Sequence, residues 1–572
     1  MSAPHLNEAI DFELGTTAAN TTNHDPLKMP KFEEAGTSTV MDSVPAYATG
    51  EIASEGESSL KPIDDGQYHD KFRRLGWVRL TICLIVEAIA LGSLSIPQAF
   101  ATVGMVAGVI LSIGIGLIAI YTSYVVGQVK LKYPHIDHYA DAVRLIWGRF
   151  GYELTGFMFV CQLVLLLGSH ALTGTIAFVR IVEREGVCAL VWGVVSAVVL
   201  FLLAIPPTFT EFAILGYIDF ASIICAIGIT IIATGIEATS QVGGLPAVDW
   251  SVWPPDDISF SSAFLAVTNI IFAYSFAVCQ FSFMSELHTP KDYVKSIWAL
   301  GVIEIVIYTV TGALVYAFVG SGVASPALLS AGSTVSRIAF GIALPVIFIS
   351  GSINATVAGR YIISRAFPNS TIRYISTPRG WTIWILLLLA QIILAFIIAE
   401  AIPFFSDLLG IMSSLFISGF TFYFPALFWF MLIKEGKWYR GWRNLGLSVV
   451  NGGCFLIGVA CVGCGTYASV KDIVEQYNSG IIHLSALDLA SSSNSLEPPS
   501  SSKAALQPLR SCEHSYNLAL ALPFFSPLKG RILTVISFYI LISPRSRGAA
   551  AARLGRDVPR SGAPRGFVKL NN

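Results

Sequence analysis

The first membrane-length apolar stretch of the chain, residues 78–100, contains groups that could bind a zwitterion. It reads VRLTICLIVEAIALGSLSIPQAF, so that Glu87 is followed by a Gly-Ser-Leu-Ser-Ile-Pro sequence at 92–97. In hydrocarbon every backbone polar group needs an internal partner, so an interrupted helix at mid-depth is tolerated only against protein or a water-filled cavity.

We therefore expect two half-helices with Pro97 near the start of the second, where its missing N–H costs nothing. The amides that begin the second half would suit a carboxylate, and the carbonyls that end the first would suit an ammonium or a metal cation. The alternative is a kink that serves packing alone.

A later apolar stretch, residues 261–286, has a comparable polar centre. Asn269, Tyr274, Ser275 and Gln280 place polar groups at membrane depth, where each by itself is more typical of contacts between helices. The two interruptible spans are five apart, which fits an inverted repeat of five plus five helices with a ligand at the midplane between the first helix of each half. The pair of segments, rather than either one, predicts a binding site.

Glu87 lies about one turn before the expected break and is the carboxylate for which we expect a proton-coupling role. Charged side chains inside a membrane are costly, so they are functional candidates by default. A structural hydrogen bond is the alternative. Glu304 and Asp219 are weaker candidates, because either could face a polar group of a neighbouring helix. Carboxylates near the ends of spans are expected to be solvated: Glu286, Glu400 and Asp407.

A second set of polar residues could complete a cation site with the carbonyls of the first span. His170 in the third span could titrate near neutral pH, although a lone histidine is more often a hydrogen-bond donor between helices. The eighth span carries a stripe of small polar residues, which could equally serve packing. The candidate residues are His170, Ser352, Asn354 and Thr356.

Composition places the chain in the membrane. Of its 572 residues 54% are hydrophobic and 13% are charged, with a mean hydropathy of +0.66, whereas about 25% are charged in soluble domains. The net charge of -1 gives no indication of a nucleic-acid partner. The lipid bilayer is expected because the composition is so apolar. A span needs about 20 apolar residues, and eleven segments qualify: 78–100, 104–128, 153–179, 187–205, 211–236, 261–286, 296–319, 334–363, 381–400, 403–433 and 445–467.

The chain divides into three parts. Residues 1–74 are polar, without apolar periodicity, and are predicted to be a disordered tail. Residues 75–478 form the predicted membrane domain, and 479–572 a low-complexity tail of atypical composition. Lys and Arg concentrate in alternate short loops, which predicts a cytoplasmic amino terminus.

Three motifs resemble the amino acid/auxin permease family, the amino acid transporters with this transmembrane domain, and specifically its fungal neutral amino acid permease branch. They are IVEAIALGSLSIPQAFATVGMVAGVIL in the first two spans, FAYSFAVCQFSFMSELHTPKDYVKSI around the sixth, and GTYASVKDIVEQY near the end of the last. The resemblance covers roughly residues 70–478. The last hundred residues have no counterpart in it.

The resemblance implies an all-α membrane fold of eleven helices like that of the bacterial leucine transporter, with broken helices one and six. It implies uptake of neutral aliphatic and aromatic amino acids by proton symport, at the plasma membrane by default of the branch, with the vacuole as the alternative. Many relatives carry Asn about where Glu87 stands, and this departure favours a proton over sodium. By position, the expected substrate-binding residues are Gly92, Ser93, Leu94, Ser95, Asn269, Phe272, Ala273, Tyr274 and Ser275.

Two other classes of protein are alternatives to a transporter. An enzyme would need a nucleophile with a positioned base, or a metal cluster, and the chain has no HExxH, GxSxG or grouped His/Cys set. Nothing implies a tightly bound cofactor or metal. An amino acid sensor that signals through the acidic first 74 residues, or a vacuolar exporter, stays open as an alternative to an importer.

Overall fold

The computed structural model describes residues 76–478 except for positions 184–186, 208, 241–242, 286, 369, 371, 373–374, 376 and 440. Within its helices, the side chains of residues 83, 87, 209–215 and 477–478 also lie outside the description. Both predicted tails, 1–74 and 479–572, fall outside the described residues. The described part of the chain is helical and contains no strand.

Twelve helices make up the membrane part of the described chain. Their order follows the apolar segments of the sequence, with polar or Gly- and Pro-containing loops between them. They are α1 Trp77–Val103, α2 Met105–Lys132, α3 Tyr139–Val182, α4 Ala189–Ala204, α5 Phe209–Ser240, α6 Phe260–Ala273, α7 Gln280–Ser285, α8 Tyr293–Val319, α9 Ser333–Ala366, α10 Pro378–Ala401, α11 Phe405–Ile433 and α12 Trp442–Gln476.

Every predicted span overlaps a helix of the described chain. Among the described residues, eight helices are long and apolar enough to cross a bilayer, and α1 makes a ninth if its two bent halves count as one span. The α4 and α6 helices are shorter, with 16 and 14 residues, against about 20 for a full crossing. The chain is therefore a multi-pass membrane protein, while eleven crossings and the five-plus-five repeat stay predictions.

The first span does not break where the sequence predicted. The α1 helix runs without interruption from Trp77 to Val103, through Pro97. It bends instead by 44° between Trp77–Val86 and Ala88–Val103. The prediction of two half-helices meeting at 92–97 is thus wrong in position. The helix continues through Pro97, and the hydroxyls of Ser93 and Ser95 bond to carbonyls of the same helix.

The sixth span is interrupted, as predicted. The α6 helix ends at Ala273, residues 274–279 form turns, and helix resumes at Gln280 as α7. Two backbone hydrogen bonds, each between residues three apart in sequence, hold the turns. Val278 N donates to Ser275 O at 3.2 Å, and Gln280 N donates to Ala277 O at 3.3 Å. This non-helical backbone is buried, which satisfies the requirement that irregular backbone at membrane depth lie against protein.

Packing divides the helices into two neighbouring groups. The α1 helix packs on α6 and α8, and α8 also packs on α2. In the other group, α3 packs on α9 and α10. Because α6 also packs on α11 and α12, the interrupted span is enclosed on several sides.

We name the two ends of the bundle by residues in their loops. At the Gly104 end, Met105 N donates to Ser251 O at 3.0 Å and Ser321 N donates to Asp249 O at 2.8 Å, which joins three loops. At the opposite, His138 end, the loop 133–138 lies against α7. The interrupted span runs between these two ends.

Candidate substrate site

The two predicted binding segments meet at Gly92. A Cβ atom placed on Gly92 would lie 2.9 Å from the Cα of Ala273 and 3.1 Å from the hydroxyl oxygen of Tyr308. Contacts under 3.0 Å are essentially never made by real Cβ atoms, so only glycine permits this approach. The structure thus brings the small-residue run of α1 directly against the last residue of α6.

The α1 residues of the predicted site present little free polar surface. The Ser93 hydroxyl donates to Ile89 O at 2.8 Å and the Ser95 hydroxyl donates to Gly92 O at 3.0 Å. Leu94 is buried beside them. Because both hydroxyls bond within their own helix, their effect on a ligand would be exerted through backbone position rather than side-chain contact.

The residues of the interrupted span differ in their surroundings. Tyr274 hydrogen-bonds with Ser112 of α2, with 3.0 Å between the two oxygens. Its ring meets the ring of Tyr308 edge-on at 5.2 Å between centroids. Phe272 is buried and Ser275 half-buried. Tyr274, the residue after the end of α6, therefore contacts both α2 and α8.

The buried carboxylates lie on helices that border α1. Glu304 of α8 is fully buried one turn before Tyr308, whose hydroxyl donates to Ala88 O at 3.0 Å. This bond attaches α8 next to the bend of α1. The bend falls at Glu87, whose side chain is outside the described residues, so its proton-coupling role stays a prediction. Asp219 of α5 is also fully buried, and neither carboxylate oxygen has a hydrogen-bond partner.

The second predicted set gathers where α3 crosses α9. The His170 Nε2 atom lies 3.4 Å from the Ser350 hydroxyl, and a Cβ on Gly351 would lie 2.9 Å from the Cβ of His170. The hydroxyls of Ser352 and Thr356 donate to carbonyls of α9 itself, Ile349 O at 2.7 Å and Ser352 O at 3.0 Å. Asn354 donates to Ser350 O, which leaves its carbonyl oxygen Oδ1 without a partner. A cation role for this set stays a prediction.

A cavity of about 490 Å³ lies at the Gly104 end of the bundle. Its walls come from the last turns of α1, the first turns of α6 and α11, the loop 321–329 and the end of α12. Of the nine predicted substrate-binding residues, Asn269 alone lines it. The cavity is within the range of about 300–1,000 Å³ typical of ligand pockets.

Asp407 lines this cavity and corrects the expectation that it is solvated. Its side chain is only 2% exposed. The Gln476 amide donates to its Oδ2 atom at 2.6 Å, and its carboxyl group also hydrogen-bonds with that of Asp472. Position near a span end did not reveal this burial, because the end of α12, far along the chain, covers it. Glu400 is half-buried, and Glu286 lies outside the described residues.

A charged cluster closes the His138 end against α7. The Lys130 ammonium of α2 lies 3.1 Å from Asp137 Oδ1 and 2.8 Å from the Ser285 hydroxyl, and it also donates to the carbonyl oxygens of Pro134 and Ile136. The Ser285 hydroxyl lies 2.8 Å from Asp137 Oδ1. One buried cation thus ties the loop 133–138 to the second half of the interrupted span. This cluster was not found from the sequence, because its members lie 155 positions apart.

Asp137 and His138 differ in charge at neutral pH. Burial by itself would raise the pKa of Asp137, but the charge of Lys130 and the hydrogen bonds from Ser285 and Lys130 outweigh it, so the pKa is lowered. Burial lowers the pKa of His138, whose Nδ1 atom lies 3.1 Å from the Ser282 hydroxyl of α7. At neutral pH the cluster therefore holds an ionised Asp137 and an uncharged imidazole.

Fold and site define a membrane transporter of amino acids. The family model described as transmembrane amino acid transporter protein matches residues 73–471, and the chain belongs to that family. The families and relatives concerned are transporters rather than enzymes.

Two relatives agree with this assignment. The chain is 59% identical over 433 residues to the N amino acid transport system protein of Neurospora crassa, which covers 75% of this chain and 92% of that protein. It is 24% identical over 465 residues to amino acid permease 2 of Arabidopsis thaliana, covering 71% and 89%. The solved structure of Mhp1, a nucleobase-cation-symport-1 family transporter in a closed conformation, aligns over 72% of this chain and 94% of that one, with a TM-score of 0.45 and 13% identity.

We expect Gly92→Ala to reduce amino acid uptake by about tenfold while Gly114→Ala leaves it near the wild-type value. The methyl added at position 92 would force α1 away from Ala273, an overpacking cost of about 1–3 kcal/mol, whereas a Cβ atom on Gly114 of α2 would meet no atom within 4 Å. Initial rates of labelled leucine uptake, normalised to surface protein, measure both. Equal rates for the two variants would contradict the assigned role of this contact.

We expect Asp137→Asn to lower the thermal denaturation midpoint by a few degrees at pH 7, with the difference from wild type shrinking as the pH falls towards 3. A carboxyl whose pKa is lowered on folding stabilises the protein above its unfolded pKa of about 4 and loses that contribution as the pH falls through the folded value. Fluorescence-detected size-exclusion chromatography after heating provides the measurement. The matched control is Asp292→Asn, which removes a pair with an exposed Lys295 and should have little effect. A pH-independent deficit in Asp137→Asn would show that its charge is not the cause.

Proposed function

We propose that this chain imports neutral aliphatic and aromatic amino acids by proton symport, with substrate held between the 92–95 run of α1 and the 272–275 turn of the interrupted span. The observation that carries the proposal is the direct approach of Gly92 to Ala273 at a point where span six loses its helix. Non-helical backbone at membrane depth is tolerated where it lies against protein or lines a cavity. Such a break marks the substrate site in transporters built this way.

Selection for neutral substrates follows from the residue types. The nine residues expected to contact substrate carry no charged side chain. Phe272 and Leu94 add apolar surface beside the backbone groups that would bind the amino and carboxyl ends. A charged substrate side chain would be buried there without a partner, at a cost of several kcal/mol.

Proton coupling is assigned to Glu87. It lies at the 44° bend of α1, five residues before Gly92. The Tyr308 hydroxyl bonds to the carbonyl of the adjacent Ala88, so a change of charge at this position would act on a helix already deformed there. Loading of a proton would thereby be linked to the approach of α1 and α6.

Alternating access would use the two ends of the bundle in turn. The cavity at the Gly104 end stops at Asn269, while the Lys130 cluster ties α7 to the loop at the His138 end. We assign the cavity to the extracellular side, in keeping with a cytoplasmic amino terminus. Release of substrate to the cytoplasm would require the Lys130 cluster to separate from α7.

The decisive test is uptake of labelled phenylalanine and leucine in permease-deficient cells at pH 5 and pH 7.5, with and without a protonophore. We expect accumulation that is stimulated by acid and abolished by the protonophore. In the Glu87→Gln variant accumulation should fall towards equality with the medium, while exchange of internal for external substrate continues, because exchange needs no net proton movement.

The matched control for this test is Glu237→Gln, the same change at an exposed position of α5. It should transport as wild type does. Accumulation by Glu87→Gln at the wild-type level would refute the coupling assignment. Absence of uptake by wild-type protein at the cell surface would refute import and point to a sensor or a vacuolar exporter.

A further inference from the structure

A basic and aromatic loop connects α11 to α12 at the His138 end of the bundle. Residues 434–443 run from the end of α11 into the first turn of α12, and we call them the basic loop. Lys132, at the end of α2, lies beside this loop and donates to Leu432 O at 2.8 Å. Both α11 and α12 are long and apolar enough to span a membrane, so the basic loop lies where two spans leave the bilayer.

The positive charge of the basic loop is not neutralised by acidic side chains. Glu435 is the one acidic residue among residues 434–443. Within the part of the chain that the structure describes, the lysines and arginine of the loop and Lys132 take part in no ion pair. Lys132, Lys437 and Arg443 are exposed, and Lys434 is half-buried. These side chains together present a cationic surface that suits an anionic partner.

Large aromatic side chains lie exposed among these cations. Trp438, Tyr439 and Trp442 are 53%, 55% and 88% exposed. The Lys437 ammonium lies 5.7 Å from the centre of the Tyr439 ring. Tryptophan and tyrosine are enriched at the boundary between lipid and water, because one part of the side chain is apolar and the other can hydrogen-bond. The aromatic residues therefore indicate that the basic loop lies in the headgroup layer of the bilayer.

Hydrogen bonds from α12 hold the backbone of the basic loop in place. The Asn444 amide donates to Glu435 O at 3.0 Å, and the Ser448 hydroxyl donates to Trp438 O at 3.2 Å. A ligand that binds a loop already fixed in this way loses less free energy to ordering it. The loop thus offers its cations and aromatic rings in a defined arrangement.

We propose that the basic loop and Lys132 bind the headgroup of an anionic phospholipid in the leaflet at the His138 end. The phosphate of the headgroup would accept hydrogen bonds from the lysine and arginine side chains, and the acyl chains would lie beside the exposed aromatic rings. Clusters of about four or more Lys and Arg next to the cytoplasmic end of a span are typical of such binding. The proposal does not depend on which substrate the protein transports.

The aromatic residues favour a lipid over a soluble anion. Inorganic phosphate would use the same cations but would leave the Trp438 and Trp442 side chains in water. Removing apolar surface from water is favourable in proportion to its area. A phospholipid would cover these rings and neutralise the cations at the same time.

Native mass spectrometry of the purified full-length chain, in detergent with equal amounts of phosphatidylserine and phosphatidylcholine, tests the proposal. We expect the wild type to bind phosphatidylserine in preference to phosphatidylcholine. A variant with Lys434→Gln, Lys437→Gln and Arg443→Gln should lower this preference by about tenfold or more, because each cation near an anionic lipid contributes to binding. Lys437→Gln alone should lower it by about fivefold and serves if the triple variant fails to fold.

The matched control removes three positive charges outside the basic loop, with Lys291→Gln, Lys295→Gln and Lys471→Gln. Lys295 and Lys471 are paired with Asp292 and Glu475, and the control should keep the wild-type preference. The same phosphatidylserine preference in the wild type and the triple variant would overturn the proposal, as would an equal loss of preference in the control.

An excess of inorganic phosphate separates the two sources of the anion. We expect phosphatidylserine to stay bound when phosphate is added, because the acyl chains remain in contact with the aromatic rings. Displacement of the lipid by phosphate would assign the cations to a soluble anion and overturn the proposal.

Discussion

The whole arrangement depends on one constraint, the need of a membrane-buried backbone to satisfy its own polar groups. A span that loses its helix between Ala273 and Gln280 cannot face lipid there. The structure meets this need by packing α1, α11 and α12 on α6, and Tyr274 of the turns contacts Ser112 of α2 and Tyr308 of α8. Gly92 allows α1 to lie directly against the end of α6, because any side chain at position 92 would collide with Ala273. Site and fold are therefore products of the same packing requirement.

Charge is distributed along the bundle in three different ways. The central contact contains uncharged residues, the cavity at the Gly104 end contains two carboxyl groups that hydrogen-bond to each other, and the His138 end contains a buried lysine matched by Asp137. A buried ion pair with additional hydrogen bonds holds a defined geometry. Aspartate is therefore paired with a lysine at one end of the bundle and with a second aspartate at the other.

The sequence predicted the helices better than it predicted their deformations. Apolar length alone located the helices, and the polar centre of span six correctly indicated its break at 274–279. The Gly-Ser-Pro run of α1 looked like a stronger break, yet Ser93 and Ser95 bond to carbonyls of their own helix and the bend moves to position 87. Asp407 was misjudged because burial at a span end depends on α12, which only the folded chain brings there. Local composition predicts where helices form. Burial of a residue by elements distant in the sequence leaves no signal in the local sequence.

The most direct test of the central claim is a cryo-electron microscopy structure of the full chain in nanodiscs at saturating phenylalanine. We expect the amino acid between residues 92–95 and 272–275, with Gly92 and Ala273 separated to admit it. Phenylalanine bound elsewhere while Gly92 remains against Ala273 would contradict the assignment of this contact as the substrate site.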